Sequence, residues 1–202
     1  AKNAIAAGFD GVEIHGANGY LIDEFIRDGS NHRSDAYGGS VENRWRFPLE
    51  VAAAVAEAVG AERTGIRLSP TNPYNDMRDS DPVASYTYGA KKLSELGLAY
   101  LHVVEPLPGH MMSDPEAPAV LPAIRECFAG LVITNGGHQA QSAGEIIESG
   151  LADAVSFGVP FLANPDLVER FRQGAELNAP DFQTFYAGDD QGYIDYPDLA
   201  SR

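Results

Sequence analysis

Short apolar segments alternate with longer amphipathic ones along the chain, and this alternation constrains the fold more than any other feature. Five segments read as strands: Gly11-Val12-Glu13-Ile14-His15, Thr64-Gly65-Ile66-Arg67-Leu68, Ala99-Tyr100-Leu101-His102-Val103-Val104, Leu131-Val132-Ile133-Thr134 and Ala152-Asp153-Ala154-Val155-Ser156-Phe157. Each is followed by a helical pattern. The first helix, over 20–26, places Leu21, Ile22, Phe25 and Ile26 on one face. A second runs over 41–59 with Ser40 as its N-cap, and Pro48 inside it is expected to kink or break it. Further helices are predicted over 82–96, over 120–128, from His138 to Ser149, and from Asn164 onward. Strands that alternate with helices form parallel sheets with right-handed crossovers. Polar residues cluster where the strands end, at His15, Arg67, Glu105 and Asn135, and parallel folds build their active sites at those ends.

Two architectures satisfy this pattern, an open doubly wound sheet and part of an eight-stranded barrel. No Gly-x-Gly-x-x-Gly follows the first strand, which weighs against a dinucleotide-binding sheet. A closed (β/α)8 barrel needs eight strands and about 250 residues, whereas this chain has 202 and opens without Met inside a helix that Gly8 ends. The expectation is an α/β fragment: one partial TIM barrel over 1–202, made of the C-terminal five β/α units (strands four to eight, 1–173) and a tail over 174–202. An incomplete barrel exposes two sheet edges, so a complementary N-terminal half-barrel is the expected partner.

Charge and composition narrow the partners. The net charge of −15 argues against nucleic acid and against an anionic membrane face, both of which call for a basic surface. Cys127 stands alone, which rules out an intrachain disulfide and a multi-cysteine zinc site; it reads as a core or boundary residue of a helix. No apolar run reaches the length of a membrane span and no signal peptide is readable, so the expected location is cytoplasmic.

The densest chemical signal is His15-Gly16-Ala17-Asn18-Gly19-Tyr20. An imidazole and a carboxamide held together suit an oxygen that gains negative charge in a transition state. A phenol beside them suits proton delivery to carbon. The competing reading is a capped strand-to-helix turn with Tyr20 in the core. Arg67, flanked by Ile66 and Leu68, is either one half of an internal salt bridge or a cation for an anionic ligand. Asn135-Gly136-Gly137-His138, and then Phe157-Gly158, follow strands and precede helices, a context suited to phosphate. His15, His102 and His138, with Glu13 and Glu105 nearby, invite a metal reading, but no His-x-His or His-Glu-x-x-His occurs and no metal is expected. His32 and His110 fall in polar loops.

His15 to Leu21 and Ser30-Asn31-His32-Arg33-Ser34-Asp35-Ala36-Tyr37-Gly38-Gly39-Ser40-Val41-Glu42-Asn43-Arg44 closely resemble the old yellow enzyme family of FMN-dependent ene-reductases, the N-ethylmaleimide reductase branch in particular. Gly65 to Pro70, Ile133 to Gly137, Phe157-Gly158, Ala163 to Leu167 and Gly192 to Pro197 follow in the family's order. The resemblance implies a barrel with FMN at the top of the strands, reduced by NAD(P)H and passing hydride to activated alkenes such as enones, maleimides and nitro compounds. It implies that His15 and Asn18 bind the substrate oxygen and that Tyr20 supplies the proton. Arg67 would lie by the pyrimidine edge of the flavin, Gly136, Gly137, His138 and Gly158 would hold FMN, and Tyr186 would line the substrate pocket.

Two departures stand out. Where the family usually has Arg after Phe-Gly, this chain has Val159, which removes a charged phosphate contact. The family's first strands, which also contact the flavin, are not in this sequence, so the chain alone is expected to be inactive or nearly so. The rival readings are a metal-dependent barrel hydrolase or lyase, and a non-catalytic half-barrel that pairs with another chain.

Overall fold

The computed structural model describes residues 1–110 and 113–201, so the loop predicted over 105–118 contains two residues, Met111 and Met112, that lie outside the description. The chain divides into two compact units, Ala1–Val155 and Ser156–Arg202.

The first unit carries β1 (Val12–Gly16), β2 (Thr64–Leu68), β3 (Tyr100–Val104), β4 (Leu131–Asn135) and β5 (Ala154–Val155). Its helices are α1 (Lys2–Ala6), α2 (Leu21–Ile26), α3 (Val41–Val59), α4 (Pro82–Glu95), α5 (Leu121–Cys127) and α6 (Ala140–Glu148). The sheet is wholly parallel and its order is β1-β2-β3-β4-β5. Strand order that follows chain order decides between the two architectures. A doubly wound sheet reverses direction at a switch point, whereas a barrel adds each strand beside the last.

Period-two alternation sorts the sheet into two faces. Ile14, Ile66, Leu68, Leu101, Val103 and Val132 are buried and join Trp45, Tyr86, Leu93 and Ile124 from the helices in one core. The other face carries Glu13, His15, Arg67, Tyr100, His102 and Ile133, matched by the register His15↔Arg67↔His102↔Ile133. Leu131, on the same face, is 58% exposed, because five strands do not close around it.

Local details differ from the sequence expectation in four places. Helix α3 runs as one element through Pro48, so the expected break does not occur; Pro48 is buried, as are Arg44, Trp45 and Ala52 of the same helix. The buried face of α2 consists of Ile22, Asp23 and Ile26, while Leu21 is exposed. The last strand is only Ala154–Val155, shorter than the predicted 152–157. A short helix, α7 (Val159–Ala163), precedes the predicted last helix, which is α8 (Leu167–Gln173). Cys127 sits at the core boundary as expected, partly buried against it.

In the second unit, the Asn164-Pro165-Asp166-Leu167 segment anchors the tail. Asn164 accepts from the Asn178 backbone N–H at 2.7 Å. Asp166 accepts from the backbone N–H of Leu199 and from Arg170 Nε. The fully buried Arg170 guanidinium also donates to the carbonyls of Glu176 and Pro197.

No helix among the described residues is long and apolar enough to cross a membrane.

Candidate active site

The turn that leaves β1 is built by Asn18 and Gly19, both with positive φ (60° and 71°), and closed by the Tyr20 N–H donating to Ala17 O. Asn-Gly is a favoured pair for two successive left-handed residues. Only glycine fits at 19, because a Cβ there would stand 2.6 Å from Asn75 Cβ. The result sets His15 on the strand and Tyr20 at the N-cap of α2, with ring centroids 5.5 Å apart. Tyr20 is 53% exposed, which excludes the core reading. Burial holds the His15 imidazole below the usual histidine range, and the positive charge of Arg67 pushes the same way, so near neutral pH it is an uncharged donor.

Asn18 lies in the turn between those two rings. Its backbone N–H donates to Ser69 Oγ at 2.7 Å, and its carbonyl accepts from Asn75 Nδ2 at 3.0 Å. Its side-chain oxygen accepts from Asn72 Nδ2 at 2.8 Å. The loop after β2 therefore grips the turn after β1.

Arg67 projects from β2 next to His15. Its terminal nitrogen donates to Asn135 Oδ1 at 3.1 Å, reaching past β3 to the end of β4. Among the described residues no carboxylate forms an ion pair with it, so the salt-bridge reading is not realised. Burial lowers its basicity, partly offset by the charge of Glu13. Below it on the same face, Glu13 accepts from His102 Nδ1 at 3.0 Å. Burial and the negative charge of Glu13 push the neighbouring Tyr100 phenol up to about 12.

The Gly136-Gly137 turn approaches other protein atoms rather than open space, backbone at Gly136 and a side chain at Gly137. A Cβ on Gly136 would lie 2.5 Å from Glu105 O, and one on Gly137 would lie 2.8 Å from the His110 ring. Glu105 itself caps α5, accepting from the N–H groups of Val120 and Leu121 at 2.8 and 2.9 Å. In the second unit, Gly158 is the N-cap residue of α7 and Tyr186 is fully exposed.

Orphaned polar atoms test whether these residues fit FMN. Arg67 Nε is buried without a hydrogen-bond partner among the described residues, and the ring nitrogens of His138 are buried with no side-chain partner there. A buried donor such as the Arg67 Nε–H, or the single N–H of an uncharged His138, is costly unless something accepts from it. A flavin ring carries carbonyl and ring-nitrogen acceptors and its phosphate carries anionic oxygens, so the donor set fits the group.

Sequence reading missed Asp23, Ser69, Asn72 and Asn75. Asp23, in a segment read as amphipathic, is wholly buried. The available signal was a carboxylate four residues before Arg27, a spacing that pairs charges on one helix face. Nothing local marked Asn72.

Comparison with known proteins agrees with this geometry. The sequence profile of the NADH:flavin oxidoreductase / NADH oxidase family matches residues 1–178. The chain belongs to that family, and its structural neighbours are old yellow enzymes. The solved structure of the old yellow enzyme homologue from Zymomonas mobilis superposes with a TM-score of 0.95 at 44% identity, covering 98% of this chain and 56% of that one. Morphinone reductase, solved in complex with tetrahydroNAD, gives a TM-score of 0.90 at 48% identity over 98% of this chain and 53% of its own. A Leishmania infantum protein named "Probable flavin mononucleotide-dependent alkene reductase" is 50% identical over 197 residues, 98% of this chain and 53% of that protein. The chain thus spans about half the length of the curated relatives it matches, and its sheet corresponds to part of an old yellow enzyme barrel.

Proposed function

We propose that this chain is the substrate-activating part of an FMN-dependent NAD(P)H oxidoreductase that reduces activated alkenes: enones, maleimides and nitro compounds. The observation that carries the reading is the meeting of His15 and Tyr20 at 5.5 Å beside Arg67. When bound, FMN supplies the hydride and NAD(P)H replenishes it. Arg67, Gly136, Gly137 and His138 would hold the cofactor; Gly158 has that role by resemblance to the family alone. His15 and the Asn18 amide donate to the carbonyl or nitro oxygen, which polarises the alkene and stabilises the negative charge that develops there. An uncharged His15 donates without keeping a second proton to lose, which leaves proton delivery to the Tyr20 phenol at the α-carbon. By resemblance to the family alone, Tyr186 would line a substrate pocket.

The open sheet supports a further part of this reading. β1 and β5 are edge strands and the inner face is uncovered at Leu131, an arrangement that a complementary half-barrel would close.

The test is a paired measurement on the full-length protein. Tyr20→Phe is expected to leave the rate of FMN reduction by NADPH unchanged while slowing 2-cyclohexenone reduction. His15→Ala/Asn18→Ala is expected to weaken enone binding while FMN stays bound. Unchanged enone kinetics in both variants would reject the assignment.

A further inference from the structure

We infer that Asn72 is a positioning residue that fixes which end of the Asn18 carboxamide faces the substrate; this rests on the reading above, in which Asn18 donates to the substrate oxygen. The two ends of a carboxamide have opposite hydrogen-bonding character, so a flipped Asn18 would present an acceptor to an oxygen that needs a donor. Something must therefore choose the orientation.

A backbone amide makes that choice. The Tyr74 N–H, which can only donate, lies 2.9 Å from one terminal atom of Asn72, so that atom is Oδ1. The other terminal atom is then Nδ2, and its partner 2.8 Å away on Asn18 must be the oxygen. The remaining end of Asn18 is the NH2 group, and no other described residue accepts from it. Asn72 is itself 3% exposed, so water does not compete for its amide. Its loop is fixed in turn, because the buried Arg27 guanidinium donates to the carbonyls of Ser69 and Asn72. The order of command runs from backbone to Asn72 to Asn18 to substrate.

This relay predicts an inverted substitution series. Asp at 72 keeps the Tyr74 contact and the shape of Asn, yet has no proton to give. Asn18 then turns its NH2 toward the new carboxylate and its oxygen toward the substrate. Ala at 72 merely releases Asn18 to sample both orientations. If Asn72 serves only the shape of the loop, Asp is the milder change and Ala the worse.

The experiment uses the full-length FMN-loaded protein and two readouts: the dissociation constant of cyclohexanone, a carbonyl ligand without the alkene, from the change in flavin absorbance, and KM and kcat for 2-cyclohexenone. Asn18→Ala is expected to weaken cyclohexanone about tenfold, the worth of one hydrogen bond to a polarised oxygen. Asn72→Ala is expected to weaken it about threefold, and Asn72→Asp by more than Asn18→Ala. In an Asn18→Ala background, Asn72→Asp adds little, which separates the relay from simple repulsion by the new charge. Asn72→Ser, which keeps a donor at 72, remains closer to wild type than Asn72→Ala and serves where the Asp variant fails to fold; a Ser variant weaker than the Ala variant counts against the relay. Asp milder than Ala, or an Asp effect that persists without Asn18, overturns the relay and leaves the role of Asn18 intact. An Asn18→Ala variant that binds cyclohexanone as the wild type does overturns the proposed function and the relay together.

Discussion

The Tyr86 hydroxyl donates to the Asp23 carboxylate at 2.9 Å, with both side chains fully buried between α2 and α4. Asp23 also accepts from Arg27 Nε at 3.2 Å, from Ser69 Oγ at 3.1 Å and from the Gly19 N–H at 2.9 Å. One carboxylate thus joins the turn after β1 to the loop after β2. Burial drives the Tyr86 phenol well above its ordinary pKa, and the Asp23 charge adds to that, so it remains a donor at any working pH. Removing one member has unequal consequences. Tyr86→Phe deletes a hydrogen bond to a charge and is expected to cost about 1.5–3 kcal/mol. Asp23→Ala strands the buried Arg27 and is expected to cost about 3–5 kcal/mol. Urea unfolding of the full-length protein measures both, and an Asp23→Ala variant as stable as Tyr86→Phe contradicts this account.

Gly89 on α4 lies under the Trp45 ring, where an added Cβ would come within 2.2 Å of the indole. Trp45 is wholly buried, and its Nε1 donates to Ser85 Oγ at 3.2 Å, so it has little room to withdraw. Alanine is favoured over glycine in a helix by about 1 kcal/mol, but overpacking a core costs about 1–3 kcal/mol. Gly89→Ala is therefore expected to lower the melting temperature. Pairing it with Trp45→Phe is expected to recover part of the loss, and a stabilised single variant would show that the clash is not there.

Burial lowers the imidazole pKa of both His15 and His138 in the folded protein. The unfolded chain then binds protons more readily than the folded one. The stability these groups contribute is present above the unfolded value of 6.5 and is lost as pH falls from there through their lower folded values. Denaturation midpoints are expected to drop as pH falls below about 6.5. His15→Gln and His138→Gln should each flatten that slope, and a slope unchanged in the double variant would refute the assignment.

Val159 opens α7 at 38% exposure, so a long side chain is sterically tolerated there. In the family pattern this position carries an arginine for the FMN phosphate. A charge-assisted contact is worth about 1.5–3 kcal/mol, so Val159→Arg is expected to tighten FMN about ten- to a hundredfold. Fluorescence titration of the apoprotein with FMN decides it, and equal dissociation constants for the two proteins reject it.

Much of this was legible in the sequence because it is local. The five strands, the helices over 41–59 and 82–95 and the polar strand ends follow from periodicity and caps. Asp81 caps α4 by accepting from the Ala84 N–H, and Ser40 caps α3 by accepting from the Asn43 N–H. The His15-to-Tyr20 cluster was visible for the same reason, since one turn holds all of it. What escaped notice joins segments far apart in the chain. Asn72 and Asn18 are separated by 54 positions, and Tyr86 and Asp23 by 63.

The sequence by itself determined the class of fold, the family and the cluster from His15 to Tyr20, because alternation, turn chemistry and short motifs are encoded within a few residues of one another. Only the tertiary structure decided that Tyr20 turns outward while Asp23 turns in, that Arg67 reaches Asn135 rather than a carboxylate, and that Asn72 sets the orientation of Asn18. Those outcomes depend on strand register and on which loops meet at the sheet's C-terminal edge. No local pattern specifies contacts whose partners are brought together only when the sheet forms.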